Sequence, residues 1–182
     1  MPSTTESIVL GGGCFWCTEA VFKEINGVVE VEPGYAGGNV PNPDYRMVCT
    51  GNTGHAEVVK VKFDPDEISL KEILEIFFGT HDPTTLNRQG ADFGTQYRST
   101  ILYKDETQKK IAEETINEMT RNKVFKNPIV TTVEPLREFY PAEDYHHDYY
   151  AKNPLAGYCM MVISPKVSKL RKKFSDRIKV KN

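Results

Sequence analysis

The sequence carries almost no net charge, no long apolar run, no internal repeat and few cysteines, and each shortage excludes something. A formal charge of -2 over 182 residues gives a nucleic acid or an anionic membrane surface no electrostatic reason to bind. No segment approaches the roughly 18 apolar residues that a spanning helix requires, and the opening "MPSTTESIVL" lacks a basic stretch followed by an apolar one. The chain therefore reads as cytoplasmic, with no membrane and no nucleic-acid partner. Four cysteines are too few for a disulfide scaffold, so reactive thiols are the better expectation. A zinc site would need a second Cys-x-x-Cys or a His-x-x-x-His spacing, and the sequence has neither. No metal or organic cofactor is expected. No Gly/Ser-rich linker divides the chain, and 39% hydrophobic content suits a single domain over residues 1–182.

What is present concentrates early. "GGGCFWCTEA", Gly11 to Ala20, sets two cysteines around the chain's one tryptophan, directly after three glycines. "SIVLGGG" reads as a strand that breaks at the glycines, and "FWCTEAVFKEI" has helical spacing with Ala20, Val21 and Ile25 on one face. Cys14 then falls at a strand-to-helix junction. There the helix macrodipole and unpaired N–H groups predict a thiol pKa lowered from about 8.5 into a range of roughly 3.5–7.5. The glycines permit a tight turn and leave room above the sulfur.

Further along, "GHAEVVKVKFDP" alternates as a strand should and puts Glu57 on the same face as Val59, Val61 and Phe63, the covered one. A desolvated carboxyl stays protonated near neutral pH, as a general acid must. "SLKEILEIFFGTH" opens with Ser69 and Glu72 at capping-box spacing before a helix. Strand and helix follow again in "YRSTILYK" and "DETQKKIAEETINEMTRNK", and "PIVTTVE" adds a strand before the aromatic-rich "FYPAEDYHHDYY". The pattern predicts an α+β fold, a sheet covered by helices whose strand order stays open. The core is expected over about residues 7–165. Beyond it, Lys166 to Asn182 sets eight Lys/Arg against the single Asp176 and reads as a solvated helix and tail.

The motifs "GCFWC", "GYAGG", "TGHAEVVKVKFDP", "GTQYRS" and "AEDYHHDYY" stand in the order and spacing of type A peptide methionine sulfoxide reductases. The sequence resembles that family over residues 7–165. The resemblance implies a two-layer α/β sandwich, a ferredoxin-like α/β roll with a mixed sheet. It implies an oxidoreductase of protein repair that converts the S epimer of methionine sulfoxide, free or in proteins, to methionine without a cofactor. A sulfoxide sulfur is a poor electrophile until its oxygen is protonated or strongly hydrogen-bonded, so a soft nucleophile, an acid and further donors are needed. By resemblance Cys14 is the nucleophile, Glu57 the acid, and Tyr35 and Tyr97 the phenols that hold the oxygen. Phe15 and Trp16 correspond to the pocket for the S-methyl group, with Asp92 and His146 at the same cavity. Cys14 would become a sulfenic acid, a second thiol would close a disulfide, and thioredoxin or glutaredoxin would reduce it. A monomer is expected.

Three thiols are candidates for closing that disulfide. Cys159 ranks first, because "NPLAGYC" offers irregular backbone and because a cysteine there is a recycler by resemblance. Cys17 ranks second, being near in sequence but on a helical turn. Cys49 ranks third, since "MVCTGNTGH" reads as a buried strand or loop entry. Two other classes stay open. A general thiol–disulfide oxidoreductase would use the Cys14/Cys17 pair but leave Glu57 and Tyr97 without work, and a nucleic-acid module would rest on the basic C-terminal segment alone.

Overall fold

The computed structural model describes residues 5–90, 92–153 and 155–178, with the backbone but not the side chain of Cys159 and Arg177. One mixed sheet of six strands organises it, in the order β7-β6-β1-β3-β2-β8. The strands are β1 (Glu6–Gly11), β2 (Val28–Ala36), β3 (Ala56–Phe63), β6 (Thr100–Tyr103), β7 (Thr132–Pro135) and β8 (Phe139–Pro141). A separate small hairpin joins β4 (Arg88–Gln89) to β5 (Asp92–Phe93). Helices α1 (Phe15–Phe22), α3 (Leu70–Thr80), α4 (Glu106–Arg121) and α6 (Ser164–Lys173) are the longer ones, with short α2 (Tyr45–Cys49) and α5 (Tyr149–Lys152). β3 runs antiparallel to both β1 and β2 and lies between them, so β1 and β2 are parallel. With β6 on the far side of β1, the chain traces β-α-β-β-α-β as a split ferredoxin-like unit. That is the α+β sandwich the sequence leads one to expect, extended by β7 and β8.

Alternation along the strands decides which face the helices cover. Ile8 and Leu10 of β1, Val31 and Tyr35 of β2, and Val59, Val61 and Phe63 of β3 all join the large core beneath α1 and α3. Val9, Ala36, Ala56, Val58 and Leu102 point to the other face and form a much smaller cluster with Leu136 and Phe139. Full burial of a side chain such as Phe63 or Phe77 contributes about 2 kcal/mol by transfer alone, so the helix-side cluster dominates.

β2 was not evident as a strand from the sequence, because Pro33 and Gly34 interrupt it. Its proline is tolerated for a local reason. The Pro33 carbonyl accepts from Ala142 N–H, so the nitrogen faces β8 just past the last ladder pair, where no donor is required. A Cβ on Gly34 would stand 2.6 Å from the Tyr140 carbonyl oxygen and 2.5 Å from the Phe139 ring; only glycine lets β8 approach.

α3 begins as expected: the Ser69 hydroxyl accepts from Glu72 N–H at 3.1 Å, and the Glu72 carboxylate accepts from Ser69 N–H at 3.3 Å. α6 differs from the solvated helix read from its charge. Val167 and Leu170 are buried in the main core, and Arg171 pairs with Glu24 at 2.8 Å, so the core extends past residue 165. Only its outward face is solvated. Residues 179–182 of the basic tail lie outside the described residues. Among the described residues, no helix is long and apolar enough to cross a membrane.

Candidate active site

The turn from β1 into α1 places Cys14. Gly13 takes φ +99°, and a Cβ on it would meet the Gln89 side chain at 2.8 Å, so the last of the three glycines answers both to conformation and to space. Cys14 is the N-cap of α1 and accepts, through its carbonyl, from Cys17 N–H at 3.0 Å. α1 is buried nearly all round, between the sheet and the later elements α5 and α6.

Glu57, second residue of β3, is 1% exposed and sits on the helix-covered face as its alternation requires. β2 sets Tyr35 directly opposite it across the ladder. The Glu57 Oε1 accepts from Phe15 N–H at 3.2 Å, while Oε2 is buried with no partner. Burial pushes this carboxyl up to about 8, against a smaller downward pull from the Phe15 amide. The carboxyl is therefore protonated at neutral pH, one residue's amide away from the Cys14 sulfur.

Cys14 departs from expectation. Burial, the hydrogen bond it shares with Cys17 and the charge of Glu57 hold its thiol well above the usual range, and the Trp16 N–H at the helix start pulls down too weakly to win. The dipole argument fails because Cys14 is only 7% exposed, and desolvating an anion outweighs a partial charge. The lowered thiol is Cys17. Its bond with Cys14, then the Lys166 ammonium and Tyr158, bring it down to about 7 against the opposing cost of burial.

Aromatic rings wall the site. Phe15 is fully buried, with ring centroids 4.9 Å from His146, 5.6 Å from Tyr35 and 6.2 Å from Tyr45. Trp16 stacks on Tyr149 at 3.8 Å and 9° between planes, and its Nε1–H donates to His146 Nδ1 at 2.9 Å. Because Nδ1 accepts, the imidazole proton resides on Nε2, which is buried without a partner. Burial pushes the His146 pKa down to about 4. Tyr97, on the helical turn Thr95–Tyr97, is half-buried, and burial with the charges of Glu57 and Cys14 raises its phenol. Asp92 of β5 accepts from Tyr158 O–H at 2.8 Å, and that phenol lies 3.7 Å from Cys17 Sγ.

The structure thus gathers Cys14, Glu57, Tyr35, Tyr97, Phe15, Trp16, Asp92 and His146 at one end of the sheet. Cys17 is with them. Cys49 is not in a buried strand: it ends α2 and is exposed. The side chain of Cys159 lies outside the described residues. Among the described residues no three His, Cys, Asp or Glu side chains converge as metal ligands.

Sequence reasoning missed the supports. Glu143 accepts from Tyr35 O–H at 2.8 Å and from Tyr45 N–H at 3.0 Å. Glu19, 2% exposed, accepts from Asp148 N–H at 2.9 Å, while Lys23 pairs with Asp148. This fastens the segment that carries His146 and Tyr149 onto α1. Asp148 itself adopts φ 58°. A Glu in the aromatic-rich motif and another two residues beyond Cys17 were the available signals.

Against known proteins, the family model "Peptide methionine sulfoxide reductase" matches residues 6–178. Peptide methionine sulfoxide reductase MsrA of Saccharolobus solfataricus is 60% identical over 175 residues, covering 96% of this chain and 98% of that protein. MsrA of Trichodesmium erythraeum is 59% identical over 173 residues, covering 95% and 98%. Among solved structures, reduced Mxr1 from Saccharomyces cerevisiae superposes with a TM-score of 0.80 at 39% identity, covering 87% of this chain and 91% of that one. Mxr1 in complex with Trx2 gives a TM-score of 0.57 at 28% identity, covering 82% and 87%. With a match along nearly its whole length and this constellation at the mouth of its first helix, the chain belongs to the peptide methionine sulfoxide reductase family.

Proposed function

We propose that this chain reduces the S epimer of methionine sulfoxide, free or in proteins, to methionine, and so repairs oxidised proteins in the cytoplasm. One observation carries the reading: a buried Glu57 carboxyl with one oxygen unpartnered, tied to the amide that follows Cys14, a setting whose desolvation favours the protonated acid. Cys14 sulfur attacks the sulfoxide sulfur while Glu57 gives its proton to the oxygen. Methionine leaves, and Cys14 keeps the oxygen as sulfenic acid. While Glu57 is neutral, its part of the upward push on Cys14 vanishes, which favours the thiolate at the moment it is needed. Tyr35 and Tyr97 serve the sulfoxide oxygen, Tyr35 exchanging its Glu143 partner for it. Phe15 and Trp16 take the S-methyl group, with Asp92 and His146 as flanking binding residues.

Cys17 then closes the disulfide. Its place on the first turn of α1, where its N–H bonds the Cys14 carbonyl at 3.0 Å, and its lowered pKa support placing it ahead of Cys159, reversing the order the sequence suggests; Cys49, exposed at the end of α2, remains last. The sulfenic hydroxyl departs as water, and the two thiols supply the two electrons that the sulfoxide takes up. Thioredoxin restores the dithiol, a reading supported by the complex of the relative Mxr1 with Trx2; a glutaredoxin is the alternative. The chain acts as one domain and needs no cofactor. Incubation with each epimer of a blocked methionine sulfoxide plus dithiothreitol tests the function: the S epimer should be consumed, and consumption of the R epimer alone would overturn the assignment.

A further inference from the structure

Cys17 faces a cavity of about 10 Å³ bounded by Gly12, Thr18, Phe77, His81 and Lys166, space for about one water-sized group. Lys166 arrives there from the first turn of α6, which packs on both α1 and α3. It is half-buried and makes no ion pair among the described residues. A half-buried ammonium without a carboxylate has given up part of its hydration and gains most from an anion that forms beside it. The groups facing Cys17 are few. Cys14 lies on its own helix, with Glu57 from β3, Asp92 from β5, Tyr158 from the segment before α6, and His81 from the end of α3. Glu57 is protonated near neutral pH, and His81 is held neutral by burial, with a pKa of about 4. Asp92 opposes an anion at Cys17 but is engaged by the Tyr158 hydroxyl. Lys166 is thus the one cation among the described residues that face this thiol.

We propose that Lys166 is the positioning residue of the disulfide-closing step, holding Cys17 as the thiolate that attacks the Cys14 sulfenic acid. The inference rests on the reading of Cys17 as the resolving thiol. In the step, a Cys17–Cys14 sulfur–sulfur bond forms, the Cys14 sulfur–oxygen bond breaks, and the hydroxide leaves with one proton as water. When thioredoxin thiolate later splits the disulfide, the same ammonium stabilises Cys17 as the sulfur released. The basic segment that looked like a solvated tail thereby contributes a charge to the reaction.

The test uses the full chain and its Lys166→Met and Lys166→Arg variants, each mixed with one equivalent of a blocked S-epimer methionine sulfoxide and quenched at intervals. Methionine released, sulfenic acid and disulfide are counted separately between pH 5.5 and 9. Lys166→Met should still release one methionine per chain, while its disulfide step moves several tenths to about one unit upward in pH and slows about two- to tenfold at pH 7. Lys166→Arg should restore most of the rate. A Lys166→Met profile that coincides with the parent's overturns the role of Lys166 and leaves Cys17 in place. Peptide mapping of the parent distinguishes the other failure: a Cys14–Cys159 bond in place of Cys14–Cys17 overturns both readings.

Discussion

Glu57→Gln should damage activity and strengthen the fold at the same time, and the structure gives both magnitudes. With a pKa of about 8, the carboxyl is about 90% protonated at pH 7 and about 10% at pH 9; because the Cys14 thiol is raised further still, methionine release should climb with pH to about 8, level off while gain of thiolate offsets loss of acid, and fall about tenfold per unit only once Cys14 is ionised. Glutamine keeps the acceptor for Phe15 N–H but has no acidic proton, which predicts a loss of about 10²–10⁴ in single-turnover rate at pH 7. The stability effect has the opposite sign. A carboxyl raised from 4.5 to about 8 favours the fold fully below the unfolded pKa, and that contribution is lost as pH rises through the folded one. At about 1.4 kcal/mol per unit, the parent loses about 4 kcal/mol between pH 4.5 and 8 through this group. Neutral glutamine carries no such loss. Urea denaturation at pH 8 should therefore place the Gln variant about 1–2 M above the parent, with the gap closing toward pH 4.5. Turnover unaltered at pH 7 would refute the acid role, and parallel stability curves would refute the buried, neutral carboxyl.

Two further substitutions probe the walls and the core. On the proposal that the full Phe15 ring defines the methyl pocket, Phe15→Leu should lower the preference for methyl over ethyl sulfoxides about tenfold in kcat/KM; an unaltered ratio would move that pocket elsewhere. His81 is half-buried, with Nδ1 2.5 Å from the Phe77 carbonyl and Nε2 2.7 Å from Ser99 Oγ, and desolvation holds it at about 4. A lowered imidazole contributes its stability above the unfolded pKa near 6.5 and loses it as pH falls toward 4, up to about 3 kcal/mol. Urea midpoints of the parent should therefore drop more steeply over pH 6.5–4 than those of His81→Gln, and equal slopes would count against a desolvated neutral imidazole.

Local rules were legible wherever the sequence alone closes an argument. The Ser69–Glu72 box needs four residues, and the period of two along β3 needs eight, so α3 and the buried side of Glu57 both follow from the chain. Strand order did not, because the insertion of β3 between β1 and β2 is decided by long-range pairing. β2 hid behind Pro33, which is harmless only where β8 ends. The direction of the Cys14 shift was misjudged for a related reason: a helix start is visible in sequence, but the side chains that bury it come from residues 35, 45, 146 and 158. Glu19, Glu143 and Lys166 escaped for the same cause. Each acts on a partner about a hundred or more residues away, and its place in a motif or a basic run does not name that partner.

The stacking of Trp16 on Tyr149, with its indole nitrogen bonded to His146, has a consequence for observing this protein. It is the chain's single tryptophan, and it stands between Phe15 and Cys17 on α1. All of the indole emission therefore originates within a few ångströms of the sulfur chemistry. Oxidation of the neighbouring thiol pair alters a nearby quencher, and a ligand between the rings alters the stacking geometry. The polypeptide carries its own optical gauge, readable in a stopped-flow cuvette with no dye, no label and no background from a second indole.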